Sequence, residues 1–221
     1  NDIFNALPCD WQRTGYQEPV YINCPYEIKT MAPEIPEDMP VGVYRKLVDI
    51  ENTDKEYIIS FLGASNNIAL YVNGKFVGYS EGSHNTAEFN ITSFLTSGTN
   101  ELVVVMFKWC NGTFLECQDM FRENGIFRDV LLYVYDKTYL YDYKIESKKC
   151  DGGYKLTLDA FIEGATQGYT LTAELLDKDG KTVAVKECAA ENETKIDFGV
   201  LDVEEWNPEI PVLYTMYITL S

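Results

Sequence analysis

The sequence predicts an all-β protein built from antiparallel sheets, a sandwich or a jelly roll. Three observations predict it. Turn signals recur at close spacing: Asn73-Gly74, Ser97-Gly98, Asn111-Gly112, Asp151-Gly152-Gly153 and Asp179-Gly180. Short β-branched and aromatic runs lie between them, with 16 Tyr in the chain and aromatics at 14%. No stretch sustains a helical stripe beyond about one turn.

Taken in order, Tyr57–Leu62, Ile68–Val72, Phe76–Tyr79, Leu102–Trp109 and Val130–Tyr135 read as strands. Asn73-Gly74 sits at the tip between two of these runs, where a type I′ turn needs positive φ at both central residues, so the pair reads as a hairpin. A second hairpin runs from Leu171–Leu176 through the turn Asp177–Lys181 into Thr182–Val185. Tyr154, Leu156, Leu158, Ala160 and Ile162 alternate with Lys155, Thr157 and Asp159, which puts the first set on one face of a strand. Tyr139, Tyr141, Tyr143 and Ile145 alternate with Asp142 and Lys144, which predicts a second such face. Before Tyr135–Tyr139 the strands are separated by long polar loops, Pro25–Pro40 and Trp109–Asn124. After it, strands and tight turns alternate at the pace of an immunoglobulin-like sandwich. A domain boundary is expected there, giving 1–136 and 137–221.

The 221 residues carry 18 Lys+Arg against 35 Asp+Glu, a formal net charge of −17. That charge repels phosphate backbones and anionic lipid, so no nucleic-acid or membrane partner is expected. The longest apolar run, Leu102–Phe107, is too short to span a bilayer. The six cysteines (Cys9, Cys24, Cys110, Cys117, Cys150, Cys188) form no C-x-x-C pair and no zinc spacing. Their dispersed placement predicts free, largely buried thiols and a cytoplasmic protein.

Chemistry-bearing residues are sparse. The single histidine, His84, lies in a polar loop with Ser83 and Asn85, so a catalytic triad has nothing to assemble around. The densest stretch of functional side chains is Leu115–Gly125, which mixes Glu116, Gln118, Asp119, Arg122 and Glu123 beside Trp109, Phe114 and Phe121. It reads two ways. Arg122 and Arg128 could fold it on itself by pairing with acids, or it could form the edge of a polyol site where acid and amide groups bind hydroxyls and an aromatic ring stacks on a sugar face. Glycoside hydrolysis needs two carboxyl groups flanking a scissile bond, and this loop alone does not supply an acid and a nucleophile at a workable spacing.

Several blocks resemble glycoside hydrolase family 2, and specifically its β-galactosidases. They are Cys9-Asp10-Trp11-Gln12-Arg13-Thr14-Gly15-Tyr16, Pro19-Val20-Tyr21-Ile22-Asn23, Gly42-Val43-Tyr44-Arg45, Val72-Asn73-Gly74-Lys75-Phe76-Val77-Gly78-Tyr79, Gln118-Asp119-Met120, Gly125-Ile126-Phe127-Arg128-Asp129-Val130 and Trp206-Asn207-Pro208-Glu209-Ile210-Pro211. They run in order along nearly the whole chain. The resemblance implies a galactose-binding-like jelly-roll sandwich, the sugar-binding domain, over 1–136, and an immunoglobulin-like β-sandwich over 137–221. It implies that the first domain is shortened at its N-terminus and the second at its C-terminus. The (β/α)8 barrel with both catalytic glutamates would then lie outside this chain, which would carry no catalytic residue and be inactive alone.

The resemblance also implies site residues. Asn23 and Asp119 match the family's Asn and Asp that contact the galactose hydroxyls, and Asp119 matches the residue that also helps hold a monovalent cation. Both side chains suit the work: an amide donates and accepts at once, and a carboxylate offers short hard oxygens. The plainer alternatives are a turn-capping amide for Asn23 and a salt bridge from Asp119 to Arg122 or Arg128. Cys24 and Met39 depart from the family pattern. For the parent enzyme the resemblance implies a β-galactoside substrate, Mg²⁺ and Na⁺ or K⁺, and a homo-oligomer. The rivals are a free-standing carbohydrate-binding module and a family 2 β-glucuronidase or β-mannosidase fragment.

Overall fold

In the computed structural model, residues 8–21, 30, 34, 36–116 and 119–221 are described. The chain divides into two units, residues 1–134 and 135–221. The first contains β1 (Cys9–Asp10), β2 (Val20–Tyr21), β3 (Val41–Ile50), β4 (Glu56–Phe61), β5 (Ala64–Ser65), β6 (Asn67–Val72), β7 (Lys75–Glu81), β8 (Ala87–Asn90) and β9 (Gly98–Phe107). The short helix α1 (Asn111–Leu115) follows, then β10 (Phe121–Arg122), β11 (Gly125–Ile126) and β12 (Val130–Tyr135). A four-stranded sheet in the order β3-β9-β6-β7 and a three-stranded sheet β12-β4-β8 supply most of the core residues. Two small sheets, β1-β11-β5 and β10-β2, tie the loops together.

The core follows from period-2 alternation. Along β9, Asn100, Leu102, Val104 and Met106 are buried while the residues between them are not. Phe61, Leu70, Ile91 and Met106 are almost wholly removed from water, each worth about 1.5–3 kcal/mol of transfer free energy. The β6–β7 hairpin forms as its turn residues predict: Asn73 and Gly74 have φ of 50° and 75°. The Asn73 amide is fixed as well, donating to the Phe94 carbonyl at 2.9 Å and to Asn100 Oδ1 at 2.8 Å while accepting from the Glu101 N–H.

The second unit has β13 (Tyr139–Cys150), β14 (Gly153–Glu163), β15 (Thr170–Leu176), β16 (Thr182–Ala189), β17 (Glu193–Leu201) and β18 (Thr215–Leu220), arranged as sheets β13-β14-β17 and β16-β15-β18. Leu156, Leu158, Ala160 and Ile162 are buried as the alternation predicts, packed with Leu171, Ala173 and Leu175. Tyr154, expected on the same face, is only half-buried. The second hairpin closes where expected: Asp177 Oδ1 accepts the N–H groups of Asp179 and Lys181, both at 2.9 Å. The architecture is all-β, a jelly roll and an immunoglobulin-like sandwich.

Three expectations need correction. The loop Trp109–Asn124 contains α1, held at its start by the Cys110 N–H donating to Thr113 Oγ1 at 3.1 Å. The Tyr139–Ile145 alternation is broken by a bulge between Leu140 and Asp142. Tyr139 stands opposite Glu163, whereas Tyr143 and Ile145 stand opposite Ala160 and Leu158, so the four residues do not share a face. Tyr143 and Ile145 are exposed on β13, an edge strand of its sheet. The cysteines are less buried than expected: Cys9, Cys110 and Cys188 are half-buried and Cys150 is exposed, all four as free thiols.

Candidate functional site

Two distant stretches, 9–21 and 119–126, are brought together by strand pairing. In β1 and β11, Cys9 faces Ile126 and Asp10 faces Gly125; in β2 and β10, Val20 faces Arg122 and Tyr21 faces Phe121. Between these ladders the Trp11 N–H donates to the Asn124 carbonyl at 2.7 Å. The Gln12 amide donates to Asn124 Oδ1 at 3.2 Å and its Oε1 accepts the Asn124 backbone N–H at 2.9 Å, so both polar ends of the Gln12 side chain are satisfied by Asn124. Trp11 anchors the arrangement. Its indole is buried, donates to the Tyr44 hydroxyl at 2.7 Å, and lies so close over Gly42 that a Cβ there would stand 2.3 Å from the ring. Burial pushes the Tyr44 phenol up to about 12, against the opposing influence of the Trp11 N–H.

Asp119 lies at the surface beside this frame. Its Oδ1 accepts the Tyr21 hydroxyl, which raises the phenol's ionisation above its ordinary value. The Tyr21 and Phe121 rings meet edge to face, with centroids 5.7 Å apart, and both are exposed. A carboxylate bonded to one exposed aromatic residue, whose ring meets a second, can accept sugar hydroxyls while a ring covers an apolar sugar face. Asn23 lies outside the described residues.

A cavity of about 300 Å³ opens nearby, lined among others by Asp10, Arg13, Trp109, Glu116, Glu123 and Phe127. Glu116 is held there by Ser83, whose N–H donates at 2.8 Å and whose hydroxyl donates to the second carboxylate oxygen. Asp10 is pushed up to about 6, first by burial, then by its hydrogen bond and like charge with Glu123, against Arg13. His84 sits beside Phe127, ring centroids 5.4 Å apart.

The two arginines both bond to backbone carbonyl groups. Arg122 donates to the Glu116 carbonyl at 2.6 Å, and Arg128 donates to the Leu62 and His84 carbonyls, both at 3.2 Å. They fold the loop by gripping backbone, while Asp119 takes its hydrogen bond from Tyr21. Sequence reasoning named Glu116 in its candidate loop but missed Tyr21 and Asp10 as parts of this region, and the Gln12–Asn124 contact has no local signature.

A model of the sugar-binding domain of the glycosyl hydrolases family 2 matches residues 4–136, and a second family 2 model matches residues 138–221. The chain belongs to glycosyl hydrolase family 2. Among curated family 2 relatives, the β-galactosidase of Actinobacillus pleuropneumoniae is 36% identical over 212 residues, covering 96% of this chain and 21% of that protein. The β-galactosidase of Staphylococcus xylosus is 35% identical over 215 residues, with the same coverage. The chain thus spans about a fifth of the length of these relatives. The fold is shared with an FMN-binding β-glucuronidase from Facaelibacterium prausnitzii L2-6, at 23% identity and a TM-score of 0.73 over 82% of this chain and 30% of that one. It is also shared with a β-glycosidase from Bacteroides vulgatus, at 21% identity and a TM-score of 0.70 over 82% and 24%.

Proposed function

We propose that this chain is the non-catalytic N-terminal part of a retaining family 2 β-galactosidase, walling one side of its sugar pocket. In this reading Asn23 and Asp119 bind galactose hydroxyls, and the acid/base and nucleophile come from a (β/α)8 barrel outside this chain. The observation that carries it is the surface carboxylate of Asp119, bonded to the Tyr21 hydroxyl, in a chain 36% identical to a β-galactosidase along 96% of its length. The exposed carboxylate suits one ligand of a Na⁺ or K⁺ ion, the remaining oxygens coming from elsewhere. Among the described residues no group of three His, Cys, Asp or Glu side chains is placed to hold a metal. The parent of this reading also uses Mg²⁺.

The parent is read as a homo-oligomer in the cytoplasm. The free thiols of Cys9, Cys110, Cys150 and Cys188 support a reducing compartment. No helix among the described residues is long and apolar enough to cross a membrane. Hydrolysis rates of the complete polypeptide on nitrophenyl β-galactoside, β-glucuronide and β-mannoside test the reading. Preference for the galactoside, with a large loss in Asp119→Ala, is expected; preference for the glucuronide or mannoside overturns it.

A further inference from the structure

We propose that Glu116, Arg122 and Ser83 are positioning residues for sugar binding: they close and anchor the neck of the loop 116–122 and so fix where the Asp119 carboxylate stands. This role rests on the reading of Asp119 as a sugar-binding residue. Asp119 itself is exposed, and its bond from the Tyr21 hydroxyl is open to solvent. Water competes for both partners of such a bond, so it cannot by itself hold a carboxylate to the tolerance that a binding site needs. A misplacement of about 1 Å at such a site costs about a hundredfold in rate. The fixed points have to come from the two ends of the loop.

Both ends are gripped. Arg122 Nη1 donates to the Glu116 carbonyl at 2.6 Å, which joins the last residue of the loop to the first. The Glu116 N–H donates to the Gly112 carbonyl at 2.8 Å, so the same residue also ends α1. Its carboxylate leaves the loop altogether. One oxygen accepts the Ser83 N–H at 2.8 Å, and the other accepts the Ser83 hydroxyl. Ser83 is 3% exposed in the connection between β7 and β8, and its carbonyl accepts the Ala64 N–H at 3.2 Å, which ties it to β5. At the far end Phe121 and Arg122 pair with Tyr21 and Val20, the strand that carries the hydroxyl bonded to Asp119.

Holding α1 alone would not need this arrangement. The helix is already fixed at its start, where Glu81 accepts the Gly112 N–H at 3.1 Å and the Cys110 N–H donates to Thr113 Oγ1. Glu116 follows the last residue of α1, and the bonds of its carbonyl and carboxylate run forward to Arg122 and across to Ser83. The two bonds to Ser83 end on an ionised acceptor, which makes each stronger than a neutral pair. Five residues lie between Glu116 and Arg122, and Asp119 is the middle one. Closing both ends of so short a span limits what its middle residue can sample.

Steady-state kinetics of the complete polypeptide on nitrophenyl β-galactoside, with galactose as competitive inhibitor, test this. Glu116→Ala should lower kcat/KM by about tenfold to a hundredfold and weaken galactose inhibition by a similar factor. Glu116→Gln still accepts the Ser83 N–H and can donate its amide to the Ser83 oxygen, so it should stay within about threefold of the unmodified enzyme. Ser83→Ala leaves the N–H bond in place. It should show a smaller loss of the same kind, and it carries the comparison if Glu116→Ala does not fold. In an Asp119→Ala background either substitution should cost less than about twofold more, because residues that act through one group are not additive. Full additivity there, as a general loss of fold would give, overturns the proposal. So does a Glu116→Ala enzyme within about twofold of the unmodified one while Asp119→Ala is badly impaired, a result that leaves the sugar-site reading standing. Undiminished activity in Asp119→Ala would sink that reading, and this proposal with it.

Discussion

A single methyl group added at Gly42 should unseat Trp11. The new Cβ would stand 2.3 Å from one indole carbon, 2.6 Å from a second and 2.9 Å from Nε1, all closer than atoms pack. The indole cannot yield freely, since it is 4% exposed and tied to the Tyr44 hydroxyl. Relief of the overlap requires strain of about 1–3 kcal/mol. Loss of the Trp11–Tyr44 hydrogen bond adds about 0.5–1.5 kcal/mol. Gly42→Ala should therefore destabilise the first unit by roughly 2–4 kcal/mol. Urea unfolding followed by tryptophan fluorescence reads this directly. Trp11→Phe, whose smaller ring leaves room for the methyl group, makes the second arm of a double-mutant cycle. The cost of Gly42→Ala should shrink in the Trp11→Phe background. A cost below about 0.5 kcal/mol, or the same cost in both backgrounds, refutes the claim that Trp11 is wedged over this glycine.

The remaining predictions concern the two cores. Ser60 is wholly buried and its hydroxyl makes no hydrogen bond. Ser60→Ala should raise stability by about 1 kcal/mol in denaturant titration, and a loss of that size would show that the hydroxyl is satisfied. Leu158, also without exposure, sits at the centre of the second unit's core. Its replacement by Ala should cost about 2–5 kcal/mol, with exchange protection falling in β14 and β17 while that of β6 and β9 is kept. Equal loss of protection in both units would mean that they unfold as one.

What the sequence reveals of this fold is what neighbouring residues decide. Asn73-Gly74 specifies its hairpin because positive φ is a property of those two residues. The β14 face is legible because one strand's alternation needs no knowledge of its partner. The misreading of Tyr139–Ile145 has the opposite origin. One extra residue at the Leu140 bulge shifts the register, and only pairing with β14 shows it. Five residues of α1 are too few for a helical period to appear.

The candidate site divides in the same way. Asp119 is visible through its motif, but its contact with Tyr21 spans 98 residues and comes from the pairing of β2 with β10. The closer arginines were the obvious partners on charge alone, and both bond to carbonyl groups. Asp10 and Glu123 likewise come to the same Arg13 only because β1 pairs with β11. Asn23, visible through its motif, lies outside the described residues.

Calorimetric titration of galactose and lactose into the 221-residue chain, in buffer containing Na⁺, tests the pocket-wall claim most directly. A lone surface carboxylate with its neighbouring rings offers too few contacts to hold a sugar against water, so no saturable heat is predicted up to millimolar sugar. Saturable binding that disappears in Asp119→Ala would contradict the claim and show that this chain recognises sugar alone.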